Sequence, residues 1–464
     1  MTNSKLNKRF PAVLDKAKFL TKDQIVSIQS VQSGQHIILG RTIKNDDYSN
    51  LIYLGKVTEQ AQGKSYFANN LWMDVSFPHV VYITGTRGSG KSFDLGVILE
   101  GLSELADESP IKNDVTPITS ILIDTQSQFW TLKYKPNENI PENLEQINDL
   151  KSWGIAPTNI ENCTIFIPKG TETITGDEIQ FTIKASQITH EEWCGLIGQE
   201  VYSPQGHIIG RTLEHFQNTD FSIEQMVSYI EDPENWEHVA EQSRNALLYK
   251  LDDYRRSNLF SNDGLNIKDI LKEGHCNVFM LRDLKNEDKS LITSLISRQL
   301  FSIMGEYHRR RRVNTFFERN EDLGNLPSKV WLVIDEAHVV APKDSYSPAR
   351  SALVEYVKRG RDAGLSLVLA TQQPSAVDDK ILSQVDFTIN HRLTFQSDVE
   401  AARGRTPTKI IQNLKIGGSE ISDFGDMIRL LNSGECFIGD HYTSRVILSR
   451  IRPRLSSHGG YSPK

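Results

Sequence analysis

Residues 85–92, Gly-Thr-Arg-Gly-Ser-Gly-Lys-Ser, constrain this chain more than any other stretch. They fit the pattern G-x-x-x-x-G-K-[ST]. The apolar run 79–83 before them reads as a buried strand, and Leu95, Val97, Ile98 and Leu99 after them read as a helix. A loop between strand and helix brings its N–H groups and the positive end of the helix dipole to one spot, as phosphate oxygens require. Gly85, Gly88 and Gly90 allow the backbone to come close, with Thr86, Arg87 and Ser89 between them. Lys91 would reach the β- and γ-phosphates, Ser92 would offer a hard oxygen to Mg²⁺, and Phe93 follows at the start of the helix. ATP and Mg²⁺ are the expected ligands.

A hydrolytic site needs more than a phosphate cradle. The run Val330-Trp331-Leu332-Val333-Ile334 ends in Asp335-Glu336. An apolar strand with two acids at its end supplies the rest: Asp335 holds Mg²⁺ through water, and Glu336 accepts a proton from the attacking water. A further run from Leu365 ends in Thr371 and Gln372, whose amide could sense the γ-phosphate. Other apolar runs end at Asp124-Thr125, Ile167 and Leu281. Buried runs alternating with helical stretches give an α/β fold around a parallel sheet.

At 464 residues the chain is long enough for two or three domains. Residues 1–76, with short β-like runs at 35–39, 51–54 and 65–67 between glycines, read as a small β-barrel for assembly or partner docking. Residues 77–184 and 275–464 read as the core, and 185–274 as a helical insertion. Within that insertion His190-Glu191-Glu192-Trp193-Cys194 has Cys194 where a zinc-protease helix needs a second histidine, so it reads as an ordinary helix turn. Leu291 to Met304 recur at helical spacing in a helix ending at Arg309-Arg310-Arg311-Arg312, basic residues that suit its dipole, nucleic acid or a subunit contact. Cys163, Cys194, Cys276 and Cys436 stand far apart, fitting reduced thiols and not a zinc site. A net charge of −7 speaks against a uniformly basic surface but leaves room for a local basic channel. No apolar run approaches a membrane span and no secretory h-region follows the N-terminus, so the cytoplasm is the expected location, with no membrane contact.

In this order the motifs resemble the HerA/FtsK superfamily of ring-forming DNA-translocating ATPases, most closely its HerA branch. The matching residues are the 79–92 stretch, Ile123-Asp124-Thr125-Gln126, Ile334-Asp335-Glu336-Ala337-His338, Gly360-Arg361, Leu369-Ala370-Thr371-Gln372, Leu382-Ser383-Gln384 and Gly434-Glu435. The resemblance implies a RecA-like P-loop core and a homohexamer with ATP sites between subunits. It also implies a channel for double-stranded DNA and a barrel face that docks a nuclease or another effector, in DNA processing or antiphage defence. It gives Arg361 the part of the family's cis-acting arginine and Gln372 that of its sensor, while His79 stands near the place of the arginine supplied in trans. A channel-facing loop with Lys343 and Arg350 would touch DNA phosphates. Two other readings compete. An ATP-gated scaffold for a toxic effector would keep the same site residues without translocation. The tetrapeptide Asp335-Glu336-Ala337-His338 also occurs in DEAH-box helicases, whose Q-x-x-G-R-x-G-R run is absent here.

Overall fold

The computed structural model describes residues 36–41, 49–61, 64–217, 219–237, 239–407, 414–416, 419–421, 423–442 and 444–459. The apolar runs become strands β1 (His36–Leu39), β2 (Leu51–Ala61), β3 (Lys64–Asp74), β4 (Val80–Thr84), β5 (Lys112–Asn113), β6 (Thr119–Asp124), β7 (Cys163–Pro168) and β8 (Ile179–Phe181). They continue with β9 (Cys276–Met280), β10 (Val330–Ile334), β11 (Leu365–Thr371), β12 (Phe387–Asn390), β13 (Leu414–Ile416), β14 (Ser419–Ile421), β15 (Glu435–Asp440) and β16 (Arg445–Ile451). The helices used below are α1 (Lys91–Leu102), α2 (Pro141–Trp153), α3 (His190–Leu196), α4 (Pro204–His215), α5 (Ile223–Glu231), α6 (Glu241–Arg256), α7 (Ile267–Ile270), α8 (Asn286–Phe316), α9 (Ala337–Val340) and α10 (Pro348–Arg359).

One sheet runs in the order β1-β3-β2-β16-β15-β12-β4-β11-β10-β6-β9-β7-β8, with β5 on β2. From β12 to β8 all neighbours are parallel, so the carboxyl ends of these strands share one edge. Strands that are apolar at every position need cover on both faces. On β10, Leu332 and Ile334 join a core with α8, α10 and the insertion helices, while Trp331 and Val333 join the opposite core with α1.

The N-terminal strands do not form a barrel of their own among the described residues. They extend the main sheet, because β16 pairs with β2 and β2 with β3. Gly55 permits the junction: a Cβ there would lie 2.1 Å from the Arg450 carbonyl oxygen. Of the expected barrel, residues 1–35, including the Gln35 that opens its first run, lie outside the described residues.

The segment 185–274 carries α3, α4, α5, α6 and α7. It has no separate core. Trp193, Ile208, Met226 and Leu247 pack in the same cluster as Ile121, Phe279 and Leu295 of the sheet and α8. Arg298 on α8 pairs with Glu192 on α3 at 3.0 Å, fastening the insertion to the core. The turn holding His190 and Cys194 is an α3 N-terminus closed by a Thr189–Glu192 capping box, with His190 Nε2 on the Gly206 carbonyl at 2.7 Å. Helix α8 runs past the four arginines to Phe316, and Glu306 one turn earlier pairs with Arg309 and Arg310. All four cysteines are free and buried, although Cys163 and Cys276 face each other across β7 and β9.

Candidate nucleotide site

Strand β4 ends at Thr84 and α1 begins at Lys91, so residues 85–90 form the connecting loop at the carboxyl edge of the sheet. Gly88 and Gly90 sit at φ +74° and +132°, conformations an L side chain resists. Gly90 is also hemmed in, since a Cβ would lie 2.9 Å from the His391 ring. Lys91 is buried and its Nζ donates to the Thr86 carbonyl at 3.0 Å. Burial lowers the Lys91 pKa, and the carboxylates of Glu336, Asp335 and Asp94 oppose that shift.

The loop rests on His391, which had no role in the sequence reading, and on the segment of the Gly434-Glu435 match. His391 follows β12 and is fully buried; Nε2 meets Asp94 Oδ2 at 2.6 Å and Nδ1 meets the Glu435 carbonyl at 2.9 Å. Each ring nitrogen thus faces an oxygen, which fixes the ring against the loop. Gly434 donates its N–H to the Ser89 carbonyl at 3.0 Å, and the Ser433 hydroxyl donates to the Gly88 carbonyl at 3.1 Å. No motif marks Asn390-His391; the available signal is its position at the end of a strand neighbouring β4.

Two strands from β4, β10 delivers Asp335 and Glu336 to the same edge, with β11 and Gln372 between. Asp335 is buried, and burial first, then Glu336 and Asp124, hold its carboxyl well above the ordinary carboxylate range. Glu336 adopts the left-handed conformation at φ 52°, a strain of the kind that concentrates at functional sites. Its carboxylate takes the backbone N–H of Gln372 at 3.2 Å and the Gln372 side-chain amide. His338 Nδ1 lies 3.3 Å from Glu336 Oε2 and 3.0 Å from Thr371 Oγ1, and burial lowers the His338 pKa. Asp124, at the end of β6, is pushed up to about 6 by burial although Gln126 and Phe129 donate backbone N–H groups to it.

These residues suit ATP with Mg²⁺. Thr86 Oγ1 is a buried hydroxyl without a partner inside the loop, and Lys91 gives the cradle a cation. Among the described residues no three His, Cys, Asp or Glu side chains cluster as a metal cage. A divalent cation held by Ser92 and Asp335 would complete its shell with phosphate oxygens and water, which is the habit of Mg²⁺.

Arg361 is the correction. It lies exposed on the turn Gly360–Ala363 that precedes β11, at the edge opposite the loop. The seven residues of β11 separate it from Gln372 by about 20 Å, too far to serve the phosphates of its own chain. His79, at the start of β4, shares that opposite edge, and both line a 330 Å³ cleft with Lys358, Gln384, Asp386 and Tyr442. The expected DNA-contact cations are also committed within the chain: Lys343 pairs with Asp379 at 2.8 Å and Arg350 with the buried Asp378 at 2.5 Å.

Residues 54–300, more than half of the chain, match the family described as "Helicase HerA, central domain". The chain belongs to the HerA central-domain family. This HerA-family chain is 27% identical over 158 residues to the DNA double-strand break repair helicase HerA of Sulfurisphaera tokodaii, covering 34% of the chain and 30% of that protein. It is 24% identical over 234 residues to the protein of the same name from Sulfolobus acidocaldarius, covering 49% of the chain and 42% of that protein. The matches thus span less than half the length of these relatives. Among solved structures, VirB4 of Thermoanaerobacter pseudethanolicus is 14% identical with a TM-score of 0.49, covering 87% of this chain and 97% of that one. The plasmid coupling protein TrwB in complex with ADP and Mg²⁺ is 9% identical with a TM-score of 0.48, covering 82% of this chain and 86% of that one. No helix among the described residues is long and apolar enough to cross a membrane.

Proposed function

We propose that this HerA-family chain hydrolyses ATP as a ring of subunits and translocates double-stranded DNA, driving or organising a partner nuclease or other effector in the cytoplasm. The observation that carries the reading is a division of labour between the two edges of the sheet. Lys91, Ser92, Asp335, Glu336 and Gln372 converge on one edge, while Arg361 and His79 stand on the other. One chain therefore holds most of a hydrolytic site and, on its far side, a cation suited to completing a neighbour's. Closed cyclic assemblies repeat such heterologous contacts, and six copies match the resemblance to HerA and FtsK rings.

In this reading Mg²⁺ supplies positive charge to the phosphates. The Lys91 ammonium neutralises phosphate charge, and the N–H groups of residues 85–90 orient the chain of phosphates. Glu336, held by Gln372, orients a water and takes its proton. Arg361 enters the next subunit's site, where it stabilises charge developing in transfer, a role that replaces the cis assignment. The test is ATP turnover by the full chain with and without linear duplex DNA, beside light scattering. A DNA-stimulated ring supports the motor; turnover indifferent to DNA would favour the scaffold, and a monomer without turnover would remove both.

A further inference from the structure

The C-terminal residues 452–459 cross the back of α1 as a strap. Glu100 on α1 anchors it and is fully buried: one carboxylate oxygen takes the N–H groups of Leu455 and Ser456, both at 2.9 Å, and the Ser456 hydroxyl at 2.7 Å. Its other oxygen takes Arg452 at 2.8 Å. The Arg454 guanidinium lies where a side chain at residue 96 would stand, since a Cβ on Gly96 would fall 2.4 Å from its Nε. Gln146 on α2 donates to the carbonyls of Arg454 and Ser456 at 2.8 and 2.7 Å. This anchoring carries His458 to the first turn of α1, where its ring lies 4.4 Å from that of Phe93. Both rings are only partly covered.

We propose that Phe93 and His458 form the platform for the base of the bound nucleotide, so that the strap supplies recognition of a purine. The inference rests on the nucleotide-site reading given above. Phe93 directly follows Lys91 and Ser92, and a ribose is all that separates a phosphate held there from its base. An aromatic pair beside the loop offers stacking area, of which a two-ring purine covers more than a pyrimidine. His458 adds direction. Arg454 can only donate, and its guanidinium meets His458 Nδ1 at 3.4 Å, so Nδ1 is the acceptor and a neutral ring carries its hydrogen on Nε2. Burial and Arg454 press the His458 pKa down to about 3, so the ring stays neutral at physiological pH. The Nε2–H is then a fixed donor matched to a purine ring nitrogen.

Titration calorimetry of the full chain with ATP, CTP and inorganic tripolyphosphate, each with Mg²⁺, separates base from phosphate recognition. His458→Ala should weaken ATP about five- to tenfold, the size of one aromatic contact, narrow the preference for ATP over CTP, and leave tripolyphosphate within about twofold. His458→Phe should recover only part of the ATP affinity, because the ring contact remains while the Nε2–H donor is lost. Phe93→Leu should give the same selective loss, and the double variant should lose little more than either alone, since both remove one platform. Equal weakening of ATP and tripolyphosphate would show a strap that only braces the loop, and unchanged ATP affinity would show no base contact; either overturns the inference while leaving the nucleotide site standing. Failure of the unaltered chain to bind either ligand would bring down the nucleotide site itself, and this inference with it.

Discussion

Gln372 holds both carboxylate oxygens of Glu336, its backbone N–H on Oε2 at 3.2 Å and its side-chain amide on Oε1. The proposed base and sensor are thereby one unit. The amide nitrogen that would register a γ-phosphate is the one that holds the proposed proton acceptor, and its second hydrogen remains to be given to a phosphate.

Glu336→Gln should keep the shape, but it offers one acceptor oxygen to the two Gln372 donors and loses proton acceptance. ATP turnover is expected to fall by about 10² to 10⁴, with ATP still retained in a filter-binding assay. Turnover within about threefold of the unaltered chain, under 1 kcal/mol of barrier, would remove Glu336 from the role of base.

Gln372→Ala should reduce the rate more than the binding. Glu336 would lose its side-chain donor but keep the backbone N–H, so kcat is expected to drop roughly tenfold to a hundredfold with little change in ATP affinity. A matching rise in KM at constant kcat would assign Gln372 to uniform binding of the nucleotide instead.

Arg361→Ala and Lys91→Ala should complement each other. Each alone is expected to be inactive, Lys91→Ala because it loses the phosphate cation and Arg361→Ala because it fails its neighbour. Mixed one to one before assembly, about a quarter of the interfaces in a random ring join an intact loop to an intact arginine. Phosphate release by the mixture should recover in that proportion; no recovery would place Arg361 outside the active site.

Glu100→Ala should destabilise the fold, because Arg452 and Glu100 are both fully buried and the lost partner leaves a charge uncompensated. About 3–5 kcal/mol is expected in urea unfolding. A loss under 1 kcal/mol would mean that the strap contributes little to holding α1.

The pH dependence of stability should carry the mark of Asp124. Its pKa rises from 3.8 unfolded to about 6 in the fold, so the native state binds the proton more tightly than the unfolded one. Its contribution is complete below about pH 4 and declines as pH rises through 6. Asp124→Asn should flatten that decline in unfolding titrations between pH 4 and 7. Asp288, also raised to about 6, supplies a residual slope of the same sign. An undiminished slope in Asp124→Asn would shift the cause to other groups.

The sequence by itself determined the chemistry that local pattern can encode. Glycines at fixed offsets before Lys91-Ser92, and an apolar run ending in Asp335-Glu336, specify a loop and a strand end whatever the rest of the chain does, because their conformational needs are satisfied within a few residues. The parallel α/β core followed from buried runs alternating with helical stretches. Tertiary structure alone decided what depends on contacts between remote segments. β2 joins β16 because Gly55 lets two backbones meet, so the N-terminal strands extend the main sheet where glycine-punctuated runs had read as a barrel. That Arg361 meets His79 in one cleft on the far edge depends on β4 lying beside β11, which spacing along the chain does not express. His391 reaches the phosphate loop and His458 the first turn of α1 from beyond 290 residues away, brought there by strand order and by the buried carboxylate of Glu100. Hydrogen bonds to backbone carbonyls and contacts between rings leave no spacing rule in a sequence, since any chain that returns to the same place can supply them.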